Sequence, residues 1–298
     1  MEKYVAEPVS ELRAEHAEGP AWDARLGELL WVDQFAGLVH RGSLDSATGR
    51  LRVVRSYSIG SATGAVVPVA GADTGWLVAA GAGFAHLAPD GTVAVLAEPE
   101  HDVRDRNRMN DGKCDPLGRF YAGSMAWDKR PGAGSLYRFE AERRVVPMLR
   151  DVTISNGMAW SGAGDLMYYI DTPTQRVDVF DVDPGGEPVA RRTAFTIAAG
   201  DGAPDGMCID HEGCLWVALW GRGQVRRYTP DGVNVAIVEV AAPLASSCAF
   251  GGADGRVLFI TTSQEGYTER DSARHPEAGR VFAVRLPVGG PPAAPYRP

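Results

Sequence analysis

Oxygen-bearing side chains recur at one position of a repeated sequence pattern. Asp205 lies eight residues before Gly213 in the segment APDGMCIDHEGCLWVALW, and Asn156 lies eight residues before Gly164 in SNGMAWSGAGDLMYYI. Six glycines that each precede a short apolar run define this position, and five of the six units carry an oxygen-bearing side chain at it or one residue away. The other units contribute Asn110 with Asp111 beside it, Ser247, Val67, and Glu18 at nine residues before its glycine.

Acid and amide side chains that lie close together in a folded protein can bind a metal ion. Without a cation, several acids and amides that meet at one point would repel one another or stay unpaired. Glu18, Asn156 and Asp205, with water completing the coordination shell, suit a hard divalent cation such as Ca²⁺, Mg²⁺ or Mn²⁺. The alternative is that all these side chains are ordinary turn residues that cap strands.

The six glycines divide the chain into repeats of similar length, because consecutive glycines lie 42 to 49 residues apart. Apolar runs such as ELLWVD and CLWVALW follow the glycines, and further runs such as LVHRGSLD and TVAVLAE come after them. Short runs rich in Val, Leu, Tyr, Trp and Phe, bounded by Gly, Pro and Asp, indicate strands. Repeats of about 40–50 residues with four short strands are typical of β-propeller blades. The glycines are Gly27, Gly75, Gly118, Gly164, Gly213 and Gly255.

The sequence therefore predicts an all-β fold, a six-bladed β-propeller that forms a single domain over residues 1–298. The last unit ends near Leu286, one strand short, and the N-terminal strand around KYVAEPV is expected to close the last blade. The tail PVGGPPAAPYRP, residues 287–298, has no strand pattern and is expected to be a loose end. Two sandwich domains are less favoured, because no linker divides the chain. In a propeller the starts of the innermost strands face one channel mouth, so the recurring polar side chains should converge there.

Composition argues against several classes of partner. The net charge of −8 disfavours a nucleic-acid or anionic-membrane surface, because both need clustered Lys and Arg. No apolar run reaches the roughly 18 residues of a membrane span, and the N-terminal segment lacks an apolar signal core. We therefore expect a cytoplasmic protein that is a monomer or weak homo-oligomer. Its cysteines, Cys114, Cys208, Cys214 and Cys248, are expected to be reduced and structural.

Several motifs resemble the SMP-30/gluconolactonase family, whose members are also called regucalcin-like. The motifs are EGPAWD, NRMNDGKCDPLGRFYAGSM, ISNGMAWS, PDGMCIDHEGCLWVA and SSCAFGG, and they occur in family order from about Gly19 to Leu286. The resemblance implies a six-bladed propeller that opens sugar lactones with one divalent metal cation, which could be Ca²⁺, Mg²⁺, Mn²⁺, Zn²⁺ or Fe²⁺. The expected substrate is a small-molecule aldonolactone such as glucono-, xylono- or arabinonolactone, and the product is the aldonic acid.

The resemblance also implies roles for individual residues. Glu18, Asn156 and Asp205 would bind the metal, while Arg108 and Asn110 would hold the substrate. Asp111 would lie at the edge of the site, and Asp128 would take the place of a substrate-contacting Glu of animal relatives. A cation would polarise the lactone carbonyl and make an attacking water more acidic. Asp205 would serve as catalytic general base as well as ligand.

Two rival functions remain open at this point. A metal-dependent hydrolase of organophosphates or other esters would use much the same metal site. A non-enzymatic calcium-binding regulatory protein is the second rival. An enzyme is favoured over that rival, because a pure metal binder has no need of Arg108 and Asn110 beside the metal residues.

Overall fold

Six antiparallel sheets surround a central channel in the computed structural model, which describes all 298 residues. The inner strand of each sheet is the first strand of its repeat, and it packs against the inner strands of the sheets before and after it. The inner strand of the sixth sheet packs against that of the first, so the ring is closed. The prediction of a six-bladed β-propeller is therefore confirmed.

The strands of each blade follow one another along the chain. Blades one and two contain β3 (Ala17–Asp23), β4 (Glu28–Asp33), β5 (Leu38–Leu44), β6 (Leu51–Ser58), β7 (Thr63–Pro68), β8 (Trp76–Ala80), β9 (Gly83–Leu87) and β10 (Val93–Ala97). Blades three and four contain β11 (Asn107–Cys114), β12 (Phe120–Ala126), β13 (Gly134–Phe139), β14 (Val145–Val152), β15 (Ser155–Trp160), β16 (Leu166–Asp171), β17 (Arg176–Val182) and β18 (Pro188–Thr196).

Blades five and six also include strands from the N-terminal segment. Their members are β1 (Glu2–Val5), β19 (Ala203–Ile209), β20 (Leu215–Trp220), β21 (Gln224–Tyr228), β22 (Asn234–Glu239), β2 (Glu7–Pro8), β23 (Ala245–Gly251), β24 (Val257–Thr262) and β25 (Phe282–Arg285). The single α-helix, α1 (Glu269–Arg274), has six residues, and no helix of the chain is long and apolar enough to cross a membrane.

The repeat glycines form the turns between the first and second strands of the blades. All six have positive φ angles, from 65° at Gly27 to 86° at Gly118. This left-handed region is strained for residues with a Cβ atom but open to glycine. The turn geometry therefore explains why glycine marks the same place in every repeat.

The N-terminal segment closes the ring, with a division of roles that the sequence did not indicate. Glu7–Pro8 pairs antiparallel with Phe282–Arg285 and supplies the missing fourth strand of blade six, as predicted. The preceding residues, Glu2–Val5, instead pair parallel with Asn234–Glu239 and add a fifth strand to blade five. The segment thus bridges the outer edges of blades five and six.

The apolar core is divided into clusters that lie largely between neighbouring blades. The largest joins blades five and six and contains 17 buried residues. In it the rings of Trp216 and Phe250 meet edge to face, with their centroids 5.9 Å apart. Burial of apolar surface between blades stabilises the ring at about 25 cal/mol for each Å² removed from water.

Residues 287–298 are packed against the propeller, so the expectation of a loose tail is wrong. The tail contributes lining residues to the wall of the central channel. The side chain of Tyr296 is buried, and its hydroxyl donates to the carbonyl oxygen of Glu140 at 2.8 Å. Its backbone exchanges hydrogen bonds of 2.7 Å with Pro68 and Ala70. A proline-rich segment without strand periodicity can still dock through one aromatic side chain and its own backbone groups.

We predict that Tyr296→Ala lowers the free energy of unfolding by about 3–5 kcal/mol, because it removes a buried ring and leaves a cavity. The midpoint of thermal unfolding should fall by about 5–10 °C, which differential scanning calorimetry can measure. Tyr296→Phe should lose only the hydrogen bond, about 1 kcal/mol. Val233→Ala, at an exposed position, serves as the control. An unchanged midpoint in Tyr296→Ala would show that the tail adds no stability.

Candidate active site

The inner strands are interrupted by a bulge at the position where the polar residues recur. The pairing register shifts between Glu18 and Ala21 in blade one and between Pro204 and Met207 in blade five. The same shift occurs next to Asn110 in blade three and next to Asn156 in blade four. Bulges re-aim side chains and leave one residue unpaired in the ladder. Here the bulges allow the polar side chains to depart from the alternating orientation of side chains along an ordinary strand.

Glycines beside the bulges let neighbouring inner strands come into backbone contact. A Cβ atom on Gly157 would lie 2.7 Å from the carbonyl oxygen of Asp205. A Cβ atom on Gly206 would lie 2.1 Å from Oγ of Ser247. Both distances are far shorter than real contacts of this kind, so only glycine fits. This is why a glycine follows both Asn156 and Asp205 in the sequence.

Most of the side chains singled out from the sequence meet in one pocket of about 80 Å³. All five of these residues are at most 6% exposed. Asp111 and Ser247 line a different space, a channel cavity of about 640 Å³ on the side of the later residues of the inner strands. The five residues that the sequence analysis singled out in the small pocket are Glu18, Arg108, Asn110, Asn156 and Asp205. The pocket is also lined by His16, Lys129, Trp220 and Glu265.

A chain of hydrogen bonds orients the amide side chains of the pocket. Nη1 of Arg108 donates to Oδ1 of Asn110 at 2.6 Å, and Nδ2 of Asn110 donates to Oδ1 of Asn156 at 3.1 Å. Nδ2 of Asn156 in turn donates to Oγ1 of Thr172, whose hydroxyl donates to the carbonyl oxygen of Pro204, each at 2.8 Å. Blades three, four and five are thereby connected across the pocket. The amide oxygen of Asn156 keeps a second lone pair for another partner.

Two aspartates that the sequence analysis did not single out hold the segments before the inner strands. Asp33, at the end of β4, accepts the backbone N–H groups of Glu15 and His16 at 2.9 and 3.2 Å. Asp171, at the end of β16, accepts those of Thr153 and Ile154, the latter at 2.9 Å. These bonds fix the chain just before Glu18 and Asn156. The runs ELLWVD and DLMYYID both end in Asp, and this shared final residue is the sequence signal that could have identified Asp33 and Asp171.

The carboxylates of the pocket are only partly paired. Oε1 of Glu18 lies 3.3 Å from Nε2 of His16, and Glu265 pairs with Lys129. Oε2 of Glu18 and Oδ1 of Asp205 are buried without a hydrogen-bond donor, and Nε of Arg108 is buried without an acceptor. Burial raises the pKa of Asp205 well above its ordinary value, and the negative charges of Glu18 and Asp111 raise it further. Burial also lowers the pKa of Arg108 to about 10, against the opposing effect of Glu18. A pocket with unpaired buried carboxylate oxygens has the charge and the free lone pairs that a cation requires.

The donor set of the pocket matches a hard cation. No three His, Cys, Asp or Glu side chains cluster closely enough to hold a metal ion by themselves. A cation held by Glu18 and Asp205 would therefore need the amide oxygen of Asn156 and water as further ligands. Oxygen-only ligand sets with few charges suit Ca²⁺, Mg²⁺ or Mn²⁺ better than soft metals.

The pocket lies within the part of the chain that matches a known protein family. The family profile described as the SMP-30/gluconolactonase/LRE-like region matches residues 16–264, which include every lining residue of the pocket except Glu265. The chain belongs to the SMP-30/gluconolactonase/LRE-like family. The resemblance inferred from the sequence motifs is confirmed.

Relatives in this family match the chain over nearly its whole length. The chain is 34% identical over 289 residues to YvrE of Bacillus subtilis (strain 168), provisionally named a sugar lactone lactonase, covering 96% of this chain and 97% of YvrE. It is 35% identical over 305 residues to regucalcin of Gallus gallus, covering 99% of each. A solved structure of a calcium-binding regucalcin from Agrobacterium tumefaciens superposes with a TM-score of 0.91 at 28% identity, covering 100% of this chain and 99% of that one.

Among the residues that the resemblance to the SMP-30/gluconolactonase family indicated, Asp128 lies outside the pocket. Its side chain is exposed and accepts the backbone N–H of Arg130 at 3.1 Å. The preceding residue, Trp127, instead approaches Arg108, whose guanidinium carbon lies 5.2 Å from the centre of the indole ring. The following residue, Lys129, lines the pocket and pairs with Glu265 at 2.9 Å.

We predict that Asp205→Asn raises the thermal midpoint of the metal-free protein by a few degrees at neutral pH. Because the pKa of Asp205 is raised on folding, the folded protein binds this proton more tightly than the unfolded chain. The free-energy cost that the charged Asp205 carboxylate imposes on the folded protein is therefore absent below the ordinary aspartate pKa of about 4. This cost grows as pH rises above that value. Calorimetry should show a higher thermal midpoint for Asp205→Asn than for the wild type at neutral pH, and this difference should disappear near pH 4.

Asp210 provides a matched control for this measurement. It is buried like Asp205, but its carboxylate accepts hydrogen bonds from Trp216 at 2.9 Å and Arg227 at 2.7 Å. Asp210→Asn should therefore lower the midpoint at neutral pH. If both variants lose stability to the same extent, the carboxylate of Asp205 has a partner in solution and the argument from its missing donors is wrong.

Proposed function

We propose that this protein hydrolyses a sugar lactone to the aldonic acid and depends on a divalent cation for this activity. Membership of the SMP-30/gluconolactonase/LRE-like family supports a hydrolase of the lactonase type. The observation that carries the proposal is the meeting of partnerless carboxylate oxygens from Glu18 and Asp205 with Arg108 in one pocket. The carboxylates of Glu18 and Asp205 attract a cation, and the guanidinium group of Arg108 offers N–H donors to a polyhydroxylated substrate.

Glu18, Asn156 and Asp205 are the residues that would hold the cation. They come from blades one, four and five, so the site forms only in the closed ring. A bound divalent cation would supply positive charge that polarises the lactone carbonyl and stabilises the oxyanion of the transition state. The calcium-binding regucalcin of Agrobacterium tumefaciens supports this cofactor class without selecting the ion.

Arg108 is the residue that we propose orients the substrate. Its guanidinium group contacts two aromatic rings that lie side by side, 5.5 Å from the centre of Phe35 and 5.2 Å from that of Trp127. Stacking of this kind restrains a flexible arginine. Nη1 is occupied by Asn110, which leaves the other N–H groups to bind ring or chain hydroxyls of the sugar.

Asp205 is the proposed general base. A carboxylate whose pKa is raised by burial is a stronger base than an exposed aspartate, and base catalysis improves as the pKa approaches the working pH. Asp205 would accept a proton from the water whose oxygen forms the new bond to the carbonyl carbon. When the ring C–O bond breaks, the departing alkoxide takes up a proton, and the product is an open-chain hydroxy acid.

The size of the pocket favours a small lactone over a bulky ester. Its volume of about 80 Å³ is below the ~300–1,000 Å³ typical of pockets that enclose drug-sized ligands. The reacting end of a five- or six-carbon lactone can enter such a space, whereas an aryl phosphotriester has several large substituents. Glucono-, xylono- and arabinonolactone are therefore the first substrates to test.

We predict that the metal-loaded protein releases acid from gluconolactone in a pH-stat assay and that chelation abolishes the release. Asp205→Asn keeps an oxygen ligand but loses the base, so its kcat should be about 10²–10⁴-fold lower even at saturating metal. Parallel assays with an aryl phosphotriester test the organophosphate rival. Metal binding without turnover of any lactone would contradict the proposal and favour a calcium-binding regulatory protein. Recovery of full kcat at saturating metal would reduce Asp205 to a ligand.

We predict that Arg108→Ala lowers kcat/KM for polyhydroxylated lactones by one to two orders of magnitude. Loss of a charged hydrogen bond costs about 1.5–3 kcal/mol of transition-state stabilisation. Metal affinity, measured by calorimetric titration, should stay within a few-fold of wild type. Arg130→Ala removes a charge from a nearby exposed position and serves as the control. Equal kcat/KM in Arg108→Ala and wild type would exclude a substrate contact at this residue.

A further inference from the structure

Two cysteines of neighbouring blades are in direct contact. Sγ of Cys208, on β19 of blade five, lies 3.6 Å from Sγ of Cys248, on β23 of blade six. Both are free thiols, and Sγ of Cys248 also donates to the carbonyl oxygen of Trp216 at 3.3 Å. The lactonase proposal uses neither of them.

The contact follows from the close approach of the two inner strands. A Cβ atom on Gly206 would lie 2.8 Å from Cα of Ser247, so the backbones touch at this point. Cys208 is two residues beyond Gly206, and Cys248 is the neighbour of Ser247. The thiols therefore face each other just beyond the point of contact. A disulfide requires its two Cα atoms within about 7 Å, which strands this close can provide.

One of the two thiols is accessible to a small oxidant. Both belong to the core cluster between the blades, but Cys208 is 7% exposed and also lines the channel cavity of about 640 Å³, whereas Cys248 is 1% exposed and does not. Burial raises the pKa of Cys248, and the positive charge of Lys113 partly opposes this effect. Lys113 lines the same cavity, and its Nζ donates to the carbonyl oxygen of Met207, the residue before Cys208. Cys208 thus has the access to the cavity that attack on an oxidant requires.

We propose that Cys208 and Cys248 form a reversible disulfide that joins blades five and six when the protein meets a hydroperoxide. The sulfur of Cys208 attacks one peroxide oxygen, which breaks the O–O bond and gives a sulfenic acid and, with hydrogen peroxide, one water. The sulfur of Cys248 then displaces the hydroxyl of the sulfenic acid, which leaves as a second water. Two thiols lose two electrons and two protons, and one peroxide is reduced.

The disulfide would strengthen the junction at which the ring is closed. The outer edges of blades five and six are already bridged by Glu2–Val5 and Glu7–Pro8. A Cys208–Cys248 bond would connect the inner edges of the same two blades and close a loop across 40 residues. Cross-links of this loop length restrict the unfolded chain and raise thermal stability. The bond would also fix the strand that carries Asp205.

The test is oxidation of the full-length reduced protein with hydrogen peroxide. After unfolding, remaining thiols are labelled with N-ethylmaleimide and counted by intact mass, and non-reducing peptide mapping locates any bridge. We expect two of the four cysteines to be protected, together with a peptide pair that links Cys208 to Cys248. The thermal midpoint should rise by about 5–10 °C and return on reduction with dithiothreitol.

Variants of all four cysteines separate this pair from general oxidation. Cys208→Ser and Cys248→Ser should each abolish the bridge and the rise in midpoint, whereas Cys114→Ser and Cys214→Ser should keep both. Four labelled thiols after peroxide treatment, oxidation of Cys208 to a sulfinic acid without a bridge, or a bridge to Cys114 or Cys214 would each overturn the proposal. The wild-type peptide map decides the question even if one variant folds poorly, and no outcome depends on lactonase activity.

Discussion

The backbone contact between neighbouring inner strands is the constraint on which the rest of this structure depends. A Cβ atom on Gly64 would lie 2.1 Å from the carbonyl oxygen of Asn110, and similar contacts occur at Gly157 and Gly206. At these three points the inner strands can approach so closely only because glycine occupies the contact. The bulges beside these glycines then direct acid and amide side chains into one pocket. The pocket, the channel cavity and the thiol pair are all products of the same close packing.

The pocket is an exception to rules that the fold obeys elsewhere. Asp23 and Asp210 are buried aspartates with full sets of donors, which include Arg25 for the first and Arg227 for the second. Asp205 is buried to a similar depth and has an oxygen with no donor at all. Residue type and burial are alike, so the difference lies in the neighbours that the protein provides. Buried charged groups that lack hydrogen-bond partners are commonly found at functional sites.

The fold could be predicted further from the sequence than the site could. Glycines that must adopt positive φ leave a regular mark, so six blades were countable from Gly27 to Gly255. The convergence of Glu18, Asn156 and Asp205 followed from the symmetry of the ring. Contacts that occur once in the molecule left no periodic mark, and the docking of Tyr296 is an example.

Loops gave the least reliable expectations about the pocket. Asp128 and Trp127 lie in a turn whose path depends on contacts with Phe35 and Arg108, and neighbouring residues in a turn can point in opposite directions. Symmetry also says nothing about which end of an inner strand a side chain faces. Ser247 shares its repeat position with Asp205 and yet lines the channel cavity.

The pairing of the N-terminal segment imposes an order on biosynthesis. Residues 2–8 precede every blade in the chain, but their partners are Ala236 to Glu239 and Phe282 to Ala283. A nascent chain therefore carries an unmatched segment on the ribosome until almost the whole of blade six has emerged. Closure across so large a sequence separation is slow, and the outer edges of blades five and six each stay open to other chains until Glu2–Val5 and Glu7–Pro8, respectively, have paired with them.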